Sequence, residues 1–450
     1  MGLFDVFGNF YNGNLFGNNG NSSSNSNSNN SNNNSGMQNF AFFNSLIRNM
    51  STASTPRPAS PAQQPRKPQP TPAQQPRKPQ PTPPKQSRPT SSSSSGNILG
   101  NAFRRQAAAP TSFDIFDQHQ RQHHLTADNA FSSGGEATTY TLPNYPRAII
   151  KIFKPETLRN KQKAEENYQR VKAMVAIAAC REQGKSFLGW PCVPFFDRSR
   201  SFLGFAMYRC KGKPFHVFNG GVNSIRRNFP NWTRKHLLLT AIDFVKKVRF
   251  LAENHVLVND FNPANFFVDE KCQVSFIDCD SYQIPSAHGA PHITKTYFAS
   301  HVAPELLRNP QLLQQPRNIH HVEFAAAILV FNIVMCGLHP FAFMGGHNGS
   351  NCGSPEENLL QGRCPLGNGN DCLLPAGNWY NLWSWLSFNL KSVFIHMFQD
   401  GYADPNARPS LAELEKALRQ CVYDLQYAPE RDELMPARPK PSVKYGEDRG

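Results

Sequence analysis

Four side chains, Lys151, Asp260, Asn265 and Asp278, occur in an order that phosphate chemistry can use. NDFNPANFFV (Asn259–Val268) carries Asp260 and, five positions on, Asn265, in a loop that leads into an apolar strand. Eighteen residues after Asp260, VSFIDCDSY (Val274–Tyr282) is a second strand that ends on an acid, Asp278. Phosphoryl transfer needs this order. One carboxylate orients the attacking hydroxyl and takes its proton, the asparagine holds one magnesium, and the strand-end carboxylate holds magnesium bridging the phosphates. Upstream, RAIIKIFKP (Arg147–Pro155) is an apolar strand with one central lysine, Lys151, placed to neutralise the α- and β-phosphates. Before it, SSGGEATTYTLP (Ser132–Pro143) is a turn with Gly134 and Gly135 followed by a β-prone run, suited to a hairpin that covers phosphates. Singly, each residue has an ordinary reading: Lys151 a strand lysine with its head in water, Asp260 and Asn265 a turn, Asp278 a strand-end cap. The ordered series, set within apolar strands, carries the chemical reading.

Two further motifs follow in order, APEL (Ala303–Leu306) and ARPS (Ala407–Ser410). With them the region from about 115 to 425 resembles a eukaryotic-type protein kinase domain. GGEATTY, AIIKIF, NDFNPANFFV, FIDCDSYQI and the late HPF at His339–Phe341 are similar to a bacterial kinase group whose motifs read GGEGxVY, GDLNPxNxLV and IDxDSFQI. The resemblance covers roughly two thirds of the chain. It implies an α+β, bilobal fold, with a small β-rich lobe over about 114–211 and a larger helical lobe over about 212–427. It also implies an ATP- and Mg²⁺-dependent transfer to Ser/Thr hydroxyls of a protein substrate. Lys151 is then the phosphate-pairing lysine, Asp260 the catalytic base, and Asn265 and Asp278 the magnesium ligands. Gly134 and Gly135 would cover the phosphates, and Met207, Tyr208 and Cys210 of MYRC would form the adenine-binding hinge. Glu305 of APEL and Arg408 of ARPS would form a buried structural ion pair. Partners implied by the group are a von Willebrand factor A domain protein and a metal-dependent protein phosphatase.

In such a kinase a carboxylate on the next helix holds the lysine, and Glu165 and Glu166 are both available. An apolar stripe through Ala164, Tyr168, Val171, Val175 and Ala178 puts Glu165 about 100° and Glu166 about 200° from Ala164, which favours Glu165. Three departures from the family pattern stand out. Ala137 and Thr138 occupy the place of a further loop glycine; Val258 and Asn259, not His and Arg, precede Asp260; and Cys279 and Asp280 follow Asp278 where Phe and Gly are usual, although the similar bacterial group also reads IDxD. The second of these removes the arginine that reads a phosphorylated activation loop. The alternative reading is a pseudokinase, a nucleotide-binding scaffold without turnover. A small-molecule kinase shares the Asp, Asn and Asp logic, but APEL and the ARPS arginine support a protein-substrate platform.

The rest of the composition is accounted for by a tail. Of 450 residues only 39% are apolar, with 37 Pro and 29 Gly, so part of the chain is expected to be unpacked. Asn12 to Gly36 is almost all Asn, Ser and Gly, and PAQQPRKPQPT (Pro61–Thr71) repeats letter for letter at Pro72–Thr82, with a decayed third copy at Pro83–Thr90. Such segments predict a disordered, basic leader over 1–113, semi-extended where proline is dense, acting as a spacer more than a ligand. It holds ten Lys or Arg against one acid, +9 of the chain's net +15. The basic excess therefore does not imply that the folded region binds nucleic acid, except weakly through the tail. Residues 428–450 return to Pro and charge and read as a loose end. Ten cysteines at scattered spacings fit reduced thiols and a cytoplasmic setting. Cys352, Cys364 and Cys372 with His347 match no CxxC pair, which favours a Gly/Asn-rich insertion over a zinc site. The apolar run Ala325–Met335 is too short to span a bilayer and suits a buried helix.

Overall fold

The computed structural model describes residues 112–142, 144–286, 289–342, 353–366, 378–427 and 431–440. The Asn/Ser tract, the proline-rich repeat, Cys352, Cys372 and His347 lie outside them. The fold of the described residues is mixed α/β. Seven strands form one antiparallel sheet: β1 (Ser112–Asp117), β2 (Gln122–Thr126), β3 (Ala130–Ser133), β4 (Ala137–Leu142), β5 (Tyr145–Phe153), β6 (Pro191–Phe196) and β7 (Phe202–Tyr208), in the order β2-β1-β6-β7-β5-β4-β3. The sheet thus starts at Ser112, two residues inside the expected tail.

β5 is central and covered on both faces, so its sequence is a near-continuous apolar run. Ile150 and Ile152 pack with Ile115, Leu125, Val193 and Phe195 on one face. Ile149 and Phe153 pack with Ala137, Val171, Phe205 and Met207 on the other. Because side chains alternate along a strand, Lys151 shares the second face. Its strand is clamped in register, with Thr139 opposite on β4 and Phe205 opposite on β7. Gly204 permits that pairing, since a Cβ built there would stand 2.0 Å from the Lys151 carbonyl oxygen.

Helix α1 (Lys161–Ala176) covers this second face. Its first turn is capped by Asn160, whose side chain accepts from the Lys163 N–H at 3.1 Å. It buries Val171 and Met174, and Trp190 Nε1 donates to the Met174 carbonyl at 2.9 Å. The second part is helical, built on α2 (Arg234–Glu253), α3 (Pro304–Arg308), α4 (Ile319–Val334), α5 (Phe388–Phe398) and α6 (Leu411–Gln426). α4 is buried from Val322 through Val334, which accounts for the apolar run noted in the sequence. Among the described residues no helix is long and apolar enough to cross a membrane. A small sheet, β8 (Lys213–Pro214), β9 (Phe266–Val268) and β10 (Val274–Phe276), lies in the order β10-β9-β8 and carries the two acidic loops.

One expectation needs correction. Residues 431–440 are not a loose end. The Asp432 carboxylate accepts from the Lys235 N–H at 2.7 Å and its carbonyl from the Arg234 N–H at 3.2 Å, satisfying two donors at the start of α2. Leu434 is buried, Asn381 donates to the Pro436 carbonyl, Trp385 to the Arg438 carbonyl, and the Lys440 N–H to Ser384 Oγ. Composition misled here because the segment is held mainly through backbone groups, which proline and charge content do not report.

Two buried histidines make the fold acid-sensitive. Burial pushes the His339 imidazole down to about 4, and burial with the neighbouring His339 pushes His301 well below its ordinary value. His339 is fixed as the neutral form: its Nε2 donates to the Ser300 carbonyl at 2.8 Å and its Nδ1 accepts from the Phe341 N–H at 3.1 Å. Unfolded histidine titrates near 6.5, so the unfolded chain binds more protons between that pH and about 4. Stability is complete above pH ~6.5 and is lost as pH falls through that window. Thermal melts should show a falling midpoint between pH 7 and 5, reduced by His339→Gln; a flat midpoint contradicts the assignment.

Candidate active site

Asp260 stands in a loop after α2 that is pinned by apolar side chains on both sides. Val258, Phe261, Pro263 and Phe266 are buried, so the backbone between them has little freedom. The Asp260 carboxylate is itself mostly enclosed, 8% exposed. One oxygen accepts from the Asn262 N–H and the other from Asn265 Nδ2, both at 3.2 Å. Burial raises its pKa, the Asp278 charge adds to that, and these outweigh the two donors. A carboxylate held this way is a better proton acceptor than an exposed one. The Ile277 N–H donates to the Asn265 carbonyl at 2.9 Å, so the loop is cross-bonded to the residue before Asp278.

Asp278 follows β10 with φ 56°, a left-handed conformation unusual for a residue with a Cβ. That turn reverses the chain, buries Cys279 completely and sends Asp278 and Asp280 to the same lysine. Lys151 Nζ donates to Asp278 Oδ1 at 2.7 Å and to both oxygens of Asp280 at 2.9 Å. Burial opposes the ammonium charge, but the Asp280 and Asp278 carboxylates outweigh it and hold the Lys151 pKa above its ordinary value. The structure therefore joins a sheet lysine to a strand-end acid 127 positions away. The arrangement can neutralise a polyphosphate, hold a divalent cation at Asp278 and Asn265, and accept a proton at Asp260.

The helix carboxylates are placed differently from the expectation. Glu165 is exposed and accepts from Gln169 at 2.6 Å; Glu166 is exposed and accepts from Gln162 at 3.0 Å. Neither carboxylate is bonded to Lys151. The physical reason is helix phase. The side chains that meet the sheet are Tyr168, Val171 and Val175, and at ~100° per residue Glu165 and Glu166 lie about 120° and 140° from Val171. The Ala164-based stripe does mark the sheet-facing side, and both carboxylates lie too far round the helix from it to reach Lys151. α1 instead contributes Arg170, which donates to the carbonyls of Tyr282 and Ile293.

Gly134 and Gly135 form the tip between β3 and β4, closed by the Gly134 N–H donating to the Ala137 carbonyl at 2.9 Å. A Cβ at Gly135 would meet nothing within 4 Å, leaving room above the tip. Met207 packs with Ala137 and Ile149 on the Lys151 face, whereas Tyr208 packs on the opposite face. Cys210, just beyond β7, turns inward, its thiol 3.5 Å from the Phe276 carbonyl.

Two features were missed at the sequence level. Asp280 departs from the usual Phe-Gly pattern but matches the second acid of IDxDSFQI, and neither pattern attaches a role to it. Asn259, where the family has arginine, donates to Thr294 Oγ1 at 3.1 Å, and Thr294 in turn bonds the Ser281 carbonyl. With Arg170 on Ile293 and the mutual Ile284–His292 backbone pairing, the segment after Asp278 is held by direct contacts.

No family model matches the sequence. The chain is 26% identical over 220 residues to a protein kinase, YegI, of Escherichia coli O157:H7, and over 219 residues to the protein of the same name in strain K12. Each match takes in 48% of this chain and 32% of the relative, so the matched region spans about a third of either relative's length. The chain has a distant protein-kinase relationship.

Proposed function

We propose that the described region is a two-lobed protein kinase that moves the γ-phosphate of Mg-ATP to a Ser or Thr hydroxyl of a protein. The observation that carries this reading is the Lys151–Asp278 pair, joined through Ile277 to the Asp260–Asn265 loop. The sheet and α1 constitute the smaller lobe and the helical part the larger. In the assigned roles Lys151 binds the α- and β-phosphates, Asp278 and Asn265 hold magnesium, and Asp260 orients the hydroxyl and takes its proton. The bond from the γ-phosphorus to the bridging oxygen breaks as the bond to the hydroxyl oxygen forms, and ADP leaves. In this reading the Gly134–Gly135 tip, with open space at Gly135, would cover the phosphates, and Met207, on the Lys151 face, would line the adenine side. The distant relationship to a protein kinase supports the reaction class, and the Glu305–Arg408 pair supports a peptide-binding platform. Partnership with a von Willebrand factor A domain protein and a phosphatase remains part of the proposal.

Nucleotide binding is the first test. Mg-ATP at 100 times its dissociation constant should stabilise the folded chain by about 2.7 kcal/mol, read as a raised melting temperature. Lys151→Met should reduce that shift strongly. An unchanged melting temperature for the native protein at millimolar Mg-ATP contradicts the proposal.

A further inference from the structure

Lys151 has two carboxylate partners, and the proposed reaction draws away only one of them. Asp278 is the outer partner, its side chain 42% exposed and able to turn to magnesium. Asp280 is the enclosed partner, 14% exposed, as is Lys151, and it grips Nζ with both oxygens at 2.9 Å. Were Asp278 to hold a magnesium ion, Asp280 alone would remain on the lysine. We propose that Asp280 is the positioning residue that holds Lys151 against the nucleotide phosphates, a task that a carboxylate on α1 was expected to perform.

The backbone around Asp280 is built to hold it still. It sits in a single 3-10 turn, Cys279–Ser281. Both the N–H and the hydroxyl of Ser281 donate to the Asp278 carbonyl, at 3.0 and 2.8 Å. The buried Cys279 thiol lies 3.6 Å from the Phe276 carbonyl. On the far side, Arg170 of α1 fastens the next residue by donating to the Tyr282 carbonyl at 3.2 Å. The helix therefore supports the lysine indirectly: Arg170 holds the turn, and the turn presents Asp280. A rigid carboxylate that offers two acceptors fixes an ammonium better than one exposed on a helix surface, where Glu165 and Glu166 are found.

This assignment rests on the kinase reading, and the two can fail separately. The experiment compares ATP-dependent phosphate transfer by the full chain, by Asp280→Asn, by Asp278→Asn and by the double variant Glu165→Gln/Glu166→Gln. Asp280→Asn should lower kcat/KM for ATP by ~10²-fold with the magnesium concentration for half-maximal rate unchanged. Asp278→Asn should raise that magnesium requirement, and the double variant should stay within about twofold of the native chain. Asp280→Glu, which keeps the charge, should recover part of the loss, and it carries the comparison should the Asn variant not fold. Transfer by the native chain that Asp280→Asn retains in full, or that only the double variant loses, overturns the positioning role alone. Absence of transfer by the native chain overturns the kinase reading and the role with it.

Discussion

Asp260→Asn should leave the protein folded and able to bind Mg-ATP while lowering turnover by ~10² to 10⁴-fold, the range that general-base removal produces. The substitution keeps size and shape, and the Asn262 N–H retains an oxygen to bond. What it removes is the proton acceptor and its negative charge beside the hydroxyl. Since Asp260 is enclosed and its pKa is raised by burial and by Asp278, the native enzyme should lose activity on acidification at a pH above the ordinary carboxylate value of about 3.9. The sign follows from the mechanism: the base must be unprotonated, and a raised pKa moves the acid limb upward. Single-turnover rates on the native chain and on Asp260→Asn measure the effect. A loss confined to KM, with kcat intact, would show that Asp260 binds and does not take the proton.

The largest expected effect on stability is at Arg408. Its side chain is wholly enclosed, and every guanidinium nitrogen is used. Nη1 and Nη2 donate to the two Glu305 oxygens at 2.8 and 2.7 Å, Nε to the Gly401 carbonyl at 2.7 Å, and Nη1 also to the His320 carbonyl at 2.9 Å. The plane lies 4.8 Å from the Phe324 ring centre. Burial would raise the Glu305 pKa, but the Arg408 hydrogen bonds and charge outweigh it and hold the carboxyl below its ordinary range. Removing the arginine leaves the half-buried Glu305 carboxylate with only His321 Nε2 at 3.3 Å beside it and takes the side-chain donor from the Gly401 carbonyl. Arg408→Ala should cost ~3 to 5 kcal/mol and lower the melting temperature by roughly 10 °C. Arg408→Lys should recover little, because an ammonium cannot copy the fork. A double-mutant cycle with Glu305→Gln measures the coupling, and a coupling under ~1 kcal/mol would reduce the pair to the level of a surface contact.

Much of the site was legible because its residues interrupt apolar strands. Lys151 inside AIIKIF and Asp278 after VSFI stand out as charges where the pattern demands burial, and the structure brings them to 2.7 Å. The Asp260–Asn265 spacing was legible for a local reason, since both residues share one pinned loop. α4 was readable from its apolar run, and the Glu305–Arg408 pair from its two short motifs. The helix carboxylate was not legible. Its assignment depended on how far round α1 a carboxylate can lie and still reach Lys151, and that is set by tertiary contacts of Tyr168, Val171 and Val175 with the sheet. Asp280 matches the second acid of IDxDSFQI, but a motif match does not say that its carboxylate reaches a lysine 129 positions away. The 431–440 segment was hidden because backbone groups hold it in place. Gly204 shows the same limit, for its role is to admit the Lys151 carbonyl from a neighbouring strand, a contact that local sequence does not contain.

The central claim is that this site transfers phosphate. Its most direct measurement follows label from [γ-³²P]ATP into protein hydroxyls, using the full chain with magnesium, beside the same chain with excess chelator and beside Asp260→Asn. Magnesium-dependent label on serine or threonine that falls by ~10² or more in Asp260→Asn is the predicted result. Label that persists equally in Asp260→Asn, or binding of Mg-ATP with no transfer to the chain or to added cell protein, would contradict it.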